Sequence, residues 1–134
     1  MRIVIDTNIV ASAIFFGGRP RELLELVLQR ELSAFISQEI IEEYQGTIEY
    51  LQNEYPSKRI TVPLTQIIAA CNMIEPTSVV KVCRDPDDDM FFACALDSRS
   101  LYIVSGDKDL LAVKQYKDVQ VVTVAQFFCD IWQH

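Results

Sequence analysis

Short aliphatic runs that alternate with longer amphipathic stretches constrain this chain more than any other feature. The runs are Arg2-Ile3-Val4-Ile5, Ser33 to Ile36, Val79 to Val82, Leu101 to Val104 and Val119 to Val122. Each is strand-length, and most are apolar at consecutive positions rather than at every second one, the pattern of strands buried on both faces of a parallel sheet. Between them lie helical patterns. Ile9 to Phe16 is closed by Gly17-Gly18. Pro20 suits the first position of a helix running to about Arg30, with Leu23, Leu24, Val27 and Leu28 on one face. Ser37 can cap a helix reaching about Asn53 that carries Ile40, Ile41, Tyr44, Ile48 and Leu51. Leu64 to Ile74 and Met90 to Ser98 are further helices, and Thr123 with Gln126 forms a capping box for a last one to Trp132. This alternation predicts an α/β fold: a three-layer α/β/α sandwich with a central parallel sheet of about five strands.

With 134 residues, half of them hydrophobic and 23% charged, residues 1–134 are expected to form one domain with a packed core. No apolar run is long enough to span a membrane, and the first strand begins at Arg2 without a leader pattern, so the expected location is the cytoplasm. Cys71, Cys83, Cys94 and Cys129 are widely spaced and are expected to be buried free thiols. The single histidine, His134, is the last residue, which argues against histidine-based catalysis and histidine-rich metal sites. The net charge of −7 runs against a simple phosphate-binding surface. That objection weakens if several acids converge on one site and divalent ions neutralise them.

In parallel sheets, sites lie beyond the carboxyl ends of the strands, where strand order reverses. Asp6 follows the first run, the acidic stretch Asp85-Pro86-Asp87-Asp88-Asp89 follows the third, and Asp107 with Asp109 follows the fourth. Parallel strands bring such ends together, and clustered carboxylates repel one another unless a cation joins them. Oxygen donors without histidine or cysteine favour a hard ion, Mg²⁺ or Mn²⁺. An ion so held supports phosphodiester hydrolysis without a protein nucleophile.

The successive motifs Asp6-Thr7-Asn8, Glu42-Glu43-Tyr44, Arg84-Asp85-Pro86-Asp87-Asp88-Asp89 leading into Phe92-Ala93, and Ser105-Gly106-Asp107-Lys108-Asp109-Leu110 resemble those of the PIN-domain family. The match runs from Arg2 to about Trp132. The resemblance implies metal-dependent RNA cleavage, often as the toxin of a toxin–antitoxin pair, hence an antitoxin protein as partner and a homodimer. It assigns the four acids as Asp6, Glu43, Asp89 and Asp107, with Glu42 and Asp88 as the alternatives to their neighbours. Thr7, Asn8, Asp88, Ser105 and Asp109 then take supporting roles: Asn8 orients Asp6 or a water, and Thr7 caps the first helix or bonds a backbone group. Ser105 stands where the family more often has threonine.

Bland explanations exist for several of these residues. Asp85 to Asp89 could be a solvated turn and helix cap, Asp109 a cap, and Glu43 an exposed helix glutamate. Arg84 and Lys108 adjoin the acids and are candidates for phosphate contacts, with Arg19, Arg21, Lys58 and Arg59 as further ones against a background of scattered surface charge. Phe15 and Phe16 could stack on a base but suit a core or dimer contact. A haloacid-dehalogenase-like phosphatase would need a second aspartate where Asn8 stands, and a response-regulator receiver would need an acidic pair near the first strand. A catalytically silent RNA- or protein-binding module of the same family is the rival of a different class.

Overall fold

The computed structural model describes residues 1–133; the lone histidine lies outside them. In chain order the elements are β1 (Arg2–Ile5), α1 (Thr7–Phe15), α2 (Gly18–Leu28), β2 (Ser33–Ile36), α3 (Gln38–Glu54), α4 (Leu64–Ala70), β3 (Asn72–Met73), α5 (Asp89–Ser98), β4 (Tyr102–Val104), α6 (Lys108–Val113), β5 (Gln115–Tyr116), β6 (Val119–Val122) and α7 (Val124–Gln126), which continues as a π-helical turn, Phe127–Ile131. A single turn of 3₁₀ helix, Pro86–Asp88, leads into α5.

The strands form one sheet in the order β3-β2-β1-β4-β6-β5, parallel except for β5, which closes an antiparallel hairpin with β6. Ile3, Val4 and Ile5 are all buried although successive strand side chains point to opposite faces, so both faces of the central strand are covered. The first crossovers step outward from β1 to β2 to β3, and the next returns over β1 to β4. For right-handed crossovers this reversal puts α5 on the face opposite α1 and α2, while α3 also touches α5. The result is the three-layer sandwich, with its order reversing between β1 and β4.

Several elements differ from the sequence expectation. Gly17 and Gly18 both take positive φ, +82° and +66°, which turns the chain so abruptly that α2 starts at Gly18. Pro20 therefore lies third in the helix, where its missing amide is still one of the unpaired first-turn groups. The helix expected to run to Ile74 stops at Ala70. The open edge of β2 takes the next residues instead, pairing Phe35 with Asn72 and Ile36 with Met73, and the Ile74 amide reaches the Ile36 carbonyl at 2.9 Å. A hairpin strand, β5, was not foreseen. Lys117, with φ +52°, sits in the turn that makes it.

Val79 to Val82 is no strand at all. Asp97 of α5 accepts from the Thr77 and Ser78 amides, at 2.5 and 2.9 Å, and from the Ser78 hydroxyl. Asp89, at the other end of α5, accepts from the Val82 and Cys83 amides at 3.0 and 2.8 Å. Two carboxylates on one helix thus satisfy backbone donors that a sheet would otherwise have taken, and the segment lies as an extended strap.

The cysteines are free, as expected, but only Cys94 is buried: Cys71 and Cys83 are half-buried and Cys129 is exposed. Ser37 caps α3 through the Ile40 amide, and the Thr123–Gln126 capping box is formed.

Candidate active site

The acids gather at the carboxyl ends of β1 and β4, on either side of the point where strand order reverses. Ladder hydrogen bonds continue past both strands: the Asp6 amide reaches the Val104 carbonyl and the Ser105 amide the Val122 carbonyl, each at 2.9 Å. Asp6 and Ser105 are thereby side by side. The Ser105 hydroxyl, fully buried, donates to Asp6 Oδ2 at 2.8 Å and accepts from the Asp107 amide at 2.9 Å. One hydroxyl thus fixes the positions of two carboxylates.

Asp6, Asp88 and Asp107 are the N-cap residues of α1, α5 and α6. Three helix N-termini, with their partial positive charge, face the same acidic cluster. Asp107 uses its Oδ1 as an ordinary cap, accepting from the Asp109 and Leu110 amides at 2.7 and 3.3 Å. The side chains of Asp6 and Asp88 make no such capping bond, so these two depart from the usual reason for aspartate at a helix start. Asp88, Asp107 and Asp109 each present an oxygen within 4.8 Å of the others.

Electrostatics tie the rest together. Burial raises the Asp6 carboxyl to about 6; Asp107 and Glu43 add repulsion, while the Ser105 hydroxyl and Thr7 amide oppose the rise. Burial likewise raises Asp88 to about 7, and Asp107, Asp85, Asp6 and Glu43 all push the same way. Glu43 therefore faces the cluster. Both Glu43 and its neighbour Glu42 are exposed, and Glu42 accepts from Gln38. Tyr44, the next residue, is buried and donates its hydroxyl to the Ile5 carbonyl, which pins α3 beside the residue that precedes Asp6.

Asp89 lines one cavity with Glu39, Glu42 and Glu43. One of its oxygens is committed to the strap amides, and Asp88 is the residue that joins Asp107 and Asp109. Asp85 and Asp87 belong to the turn: Asp85 caps it by accepting from the Asp87 amide, with Pro86 following. Thr7 neither caps α1 nor bonds a backbone group through its hydroxyl; that oxygen is buried without a partner. Asn8 is exposed. Cys83, which no motif pointed to, lies close enough that Asp89, Asp88 and Asp107 reinforce the burial that raises its thiol to about 12.

Among the basic candidates, Arg84 and Lys108 are exposed next to the acids in sequence. Arg19 instead lies over the Phe128 ring at 5.2 Å, and Arg21 bonds Thr61 and pairs with Glu25. Phe15 is core, whereas Phe16 is 70% exposed with Lys58 over its ring.

The donor set is all oxygen, crowded and partly protonated in the absence of a counter-charge, with an unpartnered hydroxyl beside Asp6. Such a set fits a hard, hydrated dication. No helix among the described residues is long and apolar enough to cross a membrane.

A family model described as PIN domain matches residues 2–109. The chain is also 32% identical over 121 residues to an uncharacterized protein of Methanocaldococcus jannaschii, a match covering 85% of this chain and 76% of that protein.

Proposed function

The chain belongs to the PIN-domain family, whose members are generally metal-dependent nucleases, and from that premise we propose that it is a Mg²⁺- or Mn²⁺-dependent endoribonuclease. The observation that carries this reading is a cluster of aspartates at helix starts: Asp88, Asp107 and Asp109 present oxygens within 4.8 Å of one another, and the Ser105 hydroxyl ties Asp6 to the Asp107 backbone beside them. Asp6, Asp88 and Asp107 would hold the cation, with Glu43 and Asp109 at its margin. When bound, the dication supplies Lewis-acid charge neutralisation to a phosphodiester and its attacking water.

The chain's own residues do the positioning. Ser105 holds Asp6 and the Asp107 backbone on one hydroxyl, so the relative placement of β1 and β4 is carried directly into the site. Tyr44 sets the height of α3, and with it Glu43, against the end of β1. Asp89 acts through the strap: by gripping the Val82 and Cys83 amides it fixes the turn that presents Asp88. In our reading Asp89 is a positioning residue. Arg84 and Lys108 meet the RNA phosphates nearest the scissile bond.

The test is cleavage of an RNA panel in EDTA, Mg²⁺ or Mn²⁺ by wild type, Asp6→Asn and Asp88→Asn. Cleavage by the wild type alone, and only with metal, is expected. Equal cleavage by both variants would sink the reading. We further propose a toxin role, with an antitoxin protein as partner and a homodimer as the working assembly. It has its own test in a growing host.

A further inference from the structure

We infer that the corner where the end of α1 meets the loop after α3 is a second contact surface for single-stranded RNA, separate from the acidic site. Its choice of occupant rests on the ribonuclease reading; its geometry does not. Residues 14–21 carry Arg19 and Arg21 and no acid, and residues 55–63 carry Lys58 and Arg59 and no acid, in a chain with 19 acidic against 12 basic residues. Folding sews these two segments together. The Thr61 amide and hydroxyl both donate to the Ile14 carbonyl, at 3.2 and 2.8 Å, and Arg21 Nη1 donates to Thr61 Oγ1 at 2.6 Å.

Aromatic rings are set among the cations. Lys58 Nζ lies 4.6 Å from the centre of the Phe16 ring, and Phe16 and Tyr55 are 70% and 56% exposed. Both rings thus remain largely open to solvent. Cations interleaved with accessible rings are what a single strand needs: the charges meet phosphates and the rings stack bases. Arg19 lies over the Phe128 ring, a cation–ring contact that does not use up its N–H donors. The acids nearest in sequence are Glu22, Glu25 and Glu54, and Glu25 is paired with Arg21.

Nine residues of α1 separate the two sites, a rise of roughly 14 Å. A strand lying on this surface reaches the acids within a few nucleotides. The surface therefore explains how a chain of net charge −7 holds a polyanion: its acids are concentrated elsewhere, and part of its positive charge is gathered here.

The experiment is fluorescence anisotropy with a single-stranded RNA of about a dozen nucleotides, in EDTA so that cleavage cannot intervene. Wild type is compared with the double variant Lys58→Glu/Arg59→Glu and with Phe16→Ala, all at exposed or partly exposed positions, with circular dichroism to confirm folding. The double variant should bind about tenfold more weakly or worse, and the slope of log K against log salt should shrink by about 1.4, two phosphate contacts. Phe16→Ala should lose about tenfold with the slope unchanged. Wild-type affinity and slope in both variants would overturn the inference, as would failure of the wild type to bind at all. Displacement of the RNA by a polyglutamate peptide of equal charge, as effectively as by unlabelled RNA, would make this a generic anion patch and overturn it too. A wild type that binds through this surface but cleaves nothing with any metal would sink the nuclease reading and leave the surface standing; a cleaving wild type whose binding ignores the variants would do the reverse.

Discussion

Asp6 is a carboxylate held where water scarcely reaches it, and this has a measurable cost in the metal-free protein. Its folded-state value of about 6 lies above the ordinary 3.8, so between those values the folded chain holds a proton that the unfolded chain has released. Stability of the apo protein must then fall as pH rises from about 4 to about 6, on the order of 2 kcal/mol from this group. Asp6→Asn should remove that loss: in EDTA at pH 7.5 the variant should melt higher than wild type, and at pH 4 the two should coincide. Melting curves at both pH values check it, and a variant less stable at pH 7.5 would contradict the sign. The adjacent aspartates of the acidic turn separate in the same way. Asp88→Asn should reduce cleavage by about a hundredfold or more without loss of stability, since its side chain makes no capping bond. Asp89→Ala should instead destabilise the fold by about 2 kcal/mol, because it strips two amides of a charged acceptor. Denaturant titration beside an activity assay distinguishes the two.

Helix α5 works at both of its ends and along its length. Its terminal carboxylates hold the strap, and its buried residues Phe91, Phe92, Cys94 and Ala95 pack against the sheet. Asp97 has its carboxyl held below the usual range, chiefly by the Ser78 hydroxyl, so its grip is complete above about pH 4 and weakens as acidification protonates it. Asp97→Ala should raise amide hydrogen exchange at Thr77 and Ser78 while protection in β1 and β4 is unchanged. Uniform acceleration across the sheet would mean that the strap and the core open together. The helix ends at Arg99 in the left-handed conformation, φ +57°, a geometry that costs a residue with a side chain more than it costs glycine. Arg99→Gly should therefore raise stability by roughly 0.5–1 kcal/mol in denaturant titration.

For the molecule as a whole, repulsion at the site and cation binding are linked. A dication that binds only the folded acids stabilises the fold by mass action. Mg²⁺ or Mn²⁺ at about a hundred times its dissociation constant should raise the wild-type melting temperature by roughly 10 °C. Asp6→Asn should show little of that rise, and equal shifts in both proteins would place the ion elsewhere. In a host cell, the toxin proposal expects expression of the wild type to slow growth and Asp88→Asn to be tolerated. Unimpeded growth with soluble wild-type protein present would end that proposal.

Much of this architecture is written in local pattern. Continuous Ile and Val in β1, the helical spacing of Leu23, Leu24 and Val27, and the Ser37 and Thr123 caps all act over a few residues, and each formed as its chemistry dictates. The acids that end β1 and β4 were legible for the same reason, because a parallel sheet carries its strand ends to one edge. The rest was settled by partners far away in the chain. Val79 to Val82 has strand composition, but Asp97 captured the amides just before it and Asp89 those at its end. Ile74 fits a helical period, but the open edge of β2 was there to pair with it. Asp88 and Asp89 are indistinguishable as letters in an acidic run; which of them turns toward Asp107 depends on where the strap, the 3₁₀ turn and α5 come to rest against one another. Periodicity and capping are short-range effects that a sequence states outright, whereas the competition for a backbone donor, or for one side of a carboxylate, is decided only when the competitors have been packed together.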